Sequence, residues 1–332
     1  MIVSITFLRC LAAIIITNAH YTGVYPTDLI ANGGLLGDVL FFALSGYCLV
    51  NIRGRFLPWY GKRISRVLPA AILATAVFAL LGRFDLGTYA GGTEQTLMYA
   101  LLGGHYPKWL SWFVYPTCYH FVGSILVLYP VYYWIMKLPT REHLPLVMAA
   151  AAVVYGLLYL FAYDKTSYHI DTVREPMIRF LFLESMLLGA HLRLRDENVR
   201  NCGKTRLWLL GSFLSLGVYF ASKLLFSRGF MPWLQPINQG LIMLCLWFVL
   251  RLFLSADRSF ERSAPWLKRS ASAVAGLTLE IYLVQIGLID MLKSLGLPFP
   301  LNWLVLTAGI LLAARALHSL TALPQKFVKK RA

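Results

Sequence analysis

The sequence predicts an all-α integral membrane protein: a bundle of about ten transmembrane helices plus one interfacial or re-entrant segment, in a single domain over residues 1–332. Three observations carry this expectation. The chain is 58% hydrophobic and only 14% charged, whereas soluble domains carry roughly 25% charged residues. Its mean hydropathy is +0.63, too apolar for a water-soluble core of this size, so lipid has to solvate much of the surface. The apolar residues also fall in runs of about membrane-spanning length, with basic clusters between them.

The runs read as spans at 3–20, 35–50, 67–82, 118–136, 145–162, 177–191, 207–225, 233–250, 273–290 and 301–318. Only helices suit them, because hydrocarbon offers no partner to an exposed backbone N–H or C=O. Orientation follows from charge. With both termini in the cytoplasm, the cytoplasmic segments hold 21 of the 31 Lys and Arg residues and the opposite side holds seven, while Arg9, Arg179 and Arg315 lie within spans. A threefold bias of that sign obeys the positive-inside rule. Residues 94–117, TEQTLMYALLGGHYPKWLSWFVYP, are apolar but broken by Gly103, Gly104, Pro107 and Pro116. A single crossing there would move every later loop to the other side and erase the bias. The segment is therefore expected to lie at the outer interface, with Trp109, Trp112 and Tyr115 at headgroup depth.

The net charge of +16 does not imply a nucleic-acid partner, since the basic residues sit in short clusters between apolar runs and not on one polar surface. Cys10, Cys48, Cys118, Cys202 and Cys245 are odd in number and lack CxxC or Cys/His spacing, so they read as packing residues, without a disulfide framework or a metal site. The N-terminus lacks a basic leader, and its apolar run contains Arg9, Asn18 and His20, which argues against a cleaved signal peptide.

Ionisable residues inside spans are costly, and each is a candidate for function. Arg9 and His20 are eleven residues apart in FLRCLAAIIITNAHY; at about 100° per residue they fall within about 20° of three full turns, about 16 Å apart along the axis. One helix face thus carries both, an arrangement suited to a cavity. Singly, Arg9 also reads as a snorkelling residue and His20 as an interfacial histidine. A neutral imidazole takes the proton of an attacking hydroxyl, and a guanidinium holds phosphate or developing negative charge. Asp38, at the outer end of GDVLFFALSGYCLV, suits either orientation of a histidine or hydroxyl, or a carboxylate at a helix start. Ser45 and Gly46 suit close helix packing. In RFLPWYGKRISRVLPA, Arg55, Lys62, Arg63 and Arg66 set topology; Arg63 and Arg66, three apart on one face, also suit a nucleotide or pyrophosphate. His120, Arg179, Glu184, His191, Glu280 and Gln285 are the remaining polar groups of interest, with Arg179 or Glu184 open to lining a central cavity and His191 to ending its helix at the basic face.

Several ordered blocks resemble membrane acyltransferase family 3, which includes bacterial polysaccharide O-acetyltransferases. FLRCLAAIIITNAHY is similar to the family's first helix, LFFALSGYCLV to its FFxxSGf block, and RFLPWYGKRISRVLP to its basic segment ending in Pro. HFVGSILVLYPVYY, FLFLESMLLGAHLR and LTLEIYLVQ resemble its central helix, its FxxGxxxxR stretch and its late iYLxH block, so the likeness spans residues 5 to 290. The late block carries Gln285 where many relatives have His, and CYHFVG stands in place of a WSLSxE pattern, which implies a different subfamily or acceptor and gives Gln285 no catalytic role.

The resemblance implies a membrane O-acyltransferase of the bacterial cytoplasmic (inner) membrane. It implies acetyl-CoA as donor and, as acceptor, a hydroxyl of a surface-polysaccharide or lipid-linked sugar. Carried over residue by residue, Arg9 and His20 would serve acyl transfer, and Arg63 and Arg66 would fall at the cytoplasmic acyl-CoA end. Together with the reading of the residues above, the expected catalytic set is His20, Arg9 and Asp38, and Arg63, Arg66 and Arg9 would hold the acyl-CoA. Membrane lipid and a carbohydrate are the expected partners, with no nucleic acid and no appended soluble domain. Two other readings use the same intramembrane charges: a flippase for a lipid-linked sugar, and an acyltransferase acting on a lipid or small molecule.

Overall fold

The computed structural model describes residues 2–82, 120–171, 177–195 and 204–329, and among them no strand occurs. The described helices are α1 (Val3–Ala19), α2 (Gly34–Leu49), α3 (Phe56–Leu80), α4 (His120–Lys137), α5 (Leu144–Ala162) and α6 (Ile178–Leu194). They continue with α7 (Thr205–Ser227), α8 (Pro236–Ser255), α9 (Asp257–Glu261), α10 (Pro265–Gly276), α11 (Thr278–Lys293) and α12 (Leu301–Lys329). Proline marks several starts: Pro58, Pro145, Pro236 and Pro265 lie in first turns, where the N–H has no helical partner to lose. Gly33 takes a φ of 97° just before α2, a left-handed turn that glycine makes without strain.

All ten expected spans find helix, but among the described residues five helices (α3, α5, α7, α8 and α12) are long and apolar enough to cross a membrane, or six if the bent α10–α11 pair counts as one. Helices α1 and α2, at 17 and 16 residues, fall short of the ~20 residues of a full span. Three boundaries differ most from expectation. Helix α12 runs on to Lys329, past the expected end at 318. Helix α3 begins at Phe56, because a proline in its first turn is tolerated, so Arg63 and Arg66 sit within the helix and not ahead of it. The run 273–290 is not one straight span: the chain bends by 68° between α10 and α11. The expected interfacial segment, with Trp109, Trp112 and Tyr115, lies outside the described residues, as do Cys118 and Cys202.

Helix α2 is the core of the bundle, packed between α1 and α6. Phe42 and Phe182 stack across the α2–α6 crossing with centroids 4.3 Å apart. There the backbones meet directly: a methyl on Gly46 would overlap the Met186 carbonyl, and one on Gly189 would overlap the Ala43 carbonyl. Tyr132 of α4 donates to the Gly46 carbonyl at 2.8 Å. Helix α1 closes the other side. The Asp257 carboxylate of α9 accepts from the Ser4 N–H at 2.9 Å, satisfying one open donor of the first turn. The Thr17 hydroxyl donates to Gln285 Oε1 of α11 at 2.9 Å, and Tyr21 bonds Thr307 of α12 at 2.9 Å.

The turn after α5 is pinned to α7 and α8 by buried polar groups. Gln235 Oε1 accepts from the N–H groups of His169 and Ile170, both at 3.0 Å. The Asp171 carboxylate pairs with Lys223 at 3.1 Å and accepts from the Tyr168 and Tyr219 hydroxyls.

Candidate active site

The packing of α1, α2, α3, α4 and α11 leaves a cavity of about 360 Å³. Arg9 of α1, together with Lys62, Arg63 and Arg66 of α3, lines one end, and no carboxylate lines it among the described residues. The helical start at Phe56 is what aims these α3 side chains inward: Lys62, Arg63 and Arg66 fall on the turns that face α4 and α11. The Arg63 guanidinium lies over the Trp59 ring, 5.0 Å from its centroid, a stacking that steadies a cation with few carboxylates nearby. Tyr129 of α4 lines the same end beside Ser45, within electrostatic reach of Arg63, Arg66 and Arg9. The concentration of positive charge suits the phosphates of a nucleotide.

Toward the opposite end the lining becomes apolar and aromatic, through Leu44, Ile125 and Leu279 to Ile16, Phe41, Phe121 and Tyr282. One turn past Ile16 on α1 stands His20, the C-cap of that helix. Its charged and titratable neighbours are Asp38, His120, Asp290 and Lys293. Asp38 is buried at 5% exposure. It is the fifth residue of α2, past the first turn where the helix-start reading would place it. Its Oδ2 lies 3.5 Å from His120 Nε2, and His120 Nδ1 lies 3.4 Å from the Tyr282 hydroxyl. That hydroxyl also accepts from the Phe121 N–H at 3.3 Å. Asp38 therefore faces two imidazoles, and the one in contact is that of His120.

The residues singled out from sequence thus occupy two ends of one structure. Arg9, Arg63 and Arg66 meet in the cavity, while His20 and Asp38 stand one turn beyond its far wall. Helix α1 spans both, carrying Arg9 at one end and His20 at the other. Two members of the imidazole–carboxylate cluster carry no role in the sequence reading, His120 and Tyr282. His120 opens an apolar run, the same signal that marks His20, whereas Tyr282 has no sequence signal beyond its place in LTLEIYLVQ.

The other polar groups lie elsewhere. Neither Arg179 nor Glu184 lines this cavity. Glu280 Oε1 bonds His318 Nδ1 at 2.7 Å, tying α11 to α12, and Gln285 holds Thr17 as above. His191 lies in the last turn of α6. Cys245 is a buried packing residue, but Cys48 is exposed and lines the cavity, because it sits at the α2 end where the helices part around the basic cluster.

The family profile described as an acyltransferase domain matches residues 2–317. No curated protein and no solved structure matches the chain. The matched region takes in every helix that lines the cavity and every residue of the imidazole–carboxylate cluster. The ordered blocks, the apolar helices and this near-complete match therefore place the chain in membrane acyltransferase family 3.

Proposed function

We propose that this acyltransferase moves an acetyl group from acetyl-CoA on the cytoplasmic side to a hydroxyl of a surface-polysaccharide or lipid-linked sugar on the outer side. It would do so as a ten-span protein of a bacterial inner membrane with both termini in the cytoplasm. The observation that carries this reading is the layout of one cavity: four cations at one end, and an imidazole–carboxylate cluster one helical turn past the other. The threefold charge bias puts the cationic end on the cytoplasmic side, where CoA thioesters are found.

Arg63 and Arg66, with Lys62 and Arg9, hold the phosphates of the donor, and the pantetheine arm runs along the apolar part of the cavity. His20 takes the proton of the acceptor hydroxyl as its oxygen attacks the thioester carbonyl carbon. The new C–O bond forms, the C–S bond breaks, and the His20 imidazolium returns its proton to the departing thiolate, giving free CoA. Asp38 steadies the positive charge that passes through His20. His120 fixes the Asp38 carboxylate from the other side and acts as a positioning residue.

Labelled acetyl-CoA supplied to vesicles carrying the protein and cell-envelope carbohydrate tests the reading. Label should appear in the carbohydrate as an alkali-labile ester with release of free CoA. A flippase would leave the thioester intact, and label confined to lipid or to a small molecule would reassign the acceptor.

Three further results are expected. The double variant Arg63→Gln, Arg66→Gln should raise the KM for acetyl-CoA about 10²- to 10⁴-fold with a smaller change in kcat, since charge-assisted bonds contribute about 1.5–3 kcal/mol each. Asp38→Asn, which keeps the shape and removes the charge, should lower kcat about 10²-fold and leave that KM in place. His120→Gln should act in the same direction less severely and shift the pH profile of kcat.

A further inference from the structure

The far wall of the cavity is formed by four side chains, Ile16, Phe41, Phe121 and Tyr282. Each stands within one helical turn of the cluster behind it. Ile16 precedes His20 by four residues, Phe41 follows Asp38 by three, and Phe121 adjoins His120. Tyr282 reaches His120 directly, at 3.4 Å. The wall is therefore one side-chain layer thick, with the donor compartment on one side and the proton-transfer groups on the other.

The layer is interlocked. Phe41 meets Phe121 edge-on with centroids 5.7 Å apart, and Phe121 meets Tyr282 at 5.4 Å. Phe121 also contacts Phe42 at 5.0 Å. Ile16, Phe121 and Tyr282 are buried, whereas Phe41 is only partly so, which leaves Phe41 the ring with room to turn. The compartment before the wall, at about 360 Å³, lies at the low end of the roughly 300–1,000 Å³ typical of small-molecule sites. A pantetheine arm laid along it leaves little space for a long acyl chain.

We infer, on the acyl-transfer reading above, that this four-residue layer selects the acyl group by size: an acetyl group reaches the imidazoles past Phe41, and longer chains are stopped. The physical reason is packing. Each added methylene has to wedge apart rings already in contact, which a close-packed interior resists, and one methylene at a fitted site is worth about tenfold or more in discrimination. Phe41 and Ile16 are thereby specificity-determining residues, acting on the acyl tail and not on the phosphates.

The test presents acetyl-, butyryl- and hexanoyl-CoA to vesicles holding the protein and envelope carbohydrate, with label in the acyl group. The wild type should transfer acetyl at least about tenfold faster than butyryl. Phe41→Ala should shrink the acetyl-to-butyryl ratio by about tenfold or more, and Ile16→Ala should shift it the same way. Should Phe41→Ala fail to insert, Phe41→Leu is read on the same ratio, with a smaller shift in the same direction. A wild type that transfers hexanoyl as readily as acetyl overturns the inference, as does an unchanged ratio in inserted Phe41 and Ile16 variants. Either result would leave acyl transfer itself standing. Failure of the wild type to consume any of the three thioesters would instead remove the donor assignment.

Discussion

His20→Ala is expected to abolish O-acyl transfer, lowering kcat by about 10²–10⁴-fold, the range for a lost general base, while the protein inserts and melts as the wild type does. The separation of effects follows from where His20 sits. It caps α1 at its C-terminal end, is only partly buried, and helix α1 is held by other groups, namely Asp257, Gln285 and Thr307. Removing an imidazole from such a position leaves the packing of Leu8, Ala12 and Ile16 against α2 untouched. Donor binding, about three turns of helix away, should also persist, so the KM for acetyl-CoA should stay within about a factor of a few. Label transfer measures the first quantity, and detergent-solubilised thermal melting measures the second. Wild-type transfer by a normally inserted variant would remove His20 from the chemistry and shift attention to His120.

The second large effect is structural. Gly46→Val should destabilise the bundle by about 3 kcal/mol or more, at or above the upper end of overpacking costs, because the atom in the way is a backbone carbonyl and not a flexible side chain. The α2–α6 crossing is reciprocal: Gly46 faces Met186, and Gly189 faces Ala43. Neither helix is able to back away without unstacking Phe42 from Phe182 and breaking the bond from Tyr132 to the Gly46 carbonyl. Gly189→Val should match it. By contrast, Gly61→Ala, which meets nothing within 4 Å, should be neutral or slightly stabilising, since alanine is the better helix former. Thermal unfolding in detergent reads all three. A Gly46→Val protein that melts with the wild type would mean the helices cross farther apart than described.

Much of this was legible in the chain itself. The apolar runs locate helices at each expected segment, since lipid leaves the backbone no alternative. Arg9 and His20 announce themselves as ionisable groups on one helix face. What periodicity does not encode is partnership between helices. Asp38 reads as a carboxylate in search of a histidine, and nothing local indicates that His120, 82 positions downstream, is the one it touches. Tyr282 is invisible for the same reason: a tyrosine in an apolar run is ordinary until its hydroxyl is seen against His120 and Phe121. The bend between α10 and α11 is likewise hidden, because the run 273–290 stays apolar straight through it.

The anchoring of α1 has a consequence for biosynthesis. The contacts that hold it come from very far along the message: Ser4 to Asp257 joins positions 253 apart, and Thr17 to Gln285 joins positions 268 apart. The segment bearing both Arg9 and His20 is made before the α9 and α11 groups that fasten it, and the chain must grow by 253 and 268 residues before they exist. A product truncated before Asp257 would accordingly carry that segment without either fastening.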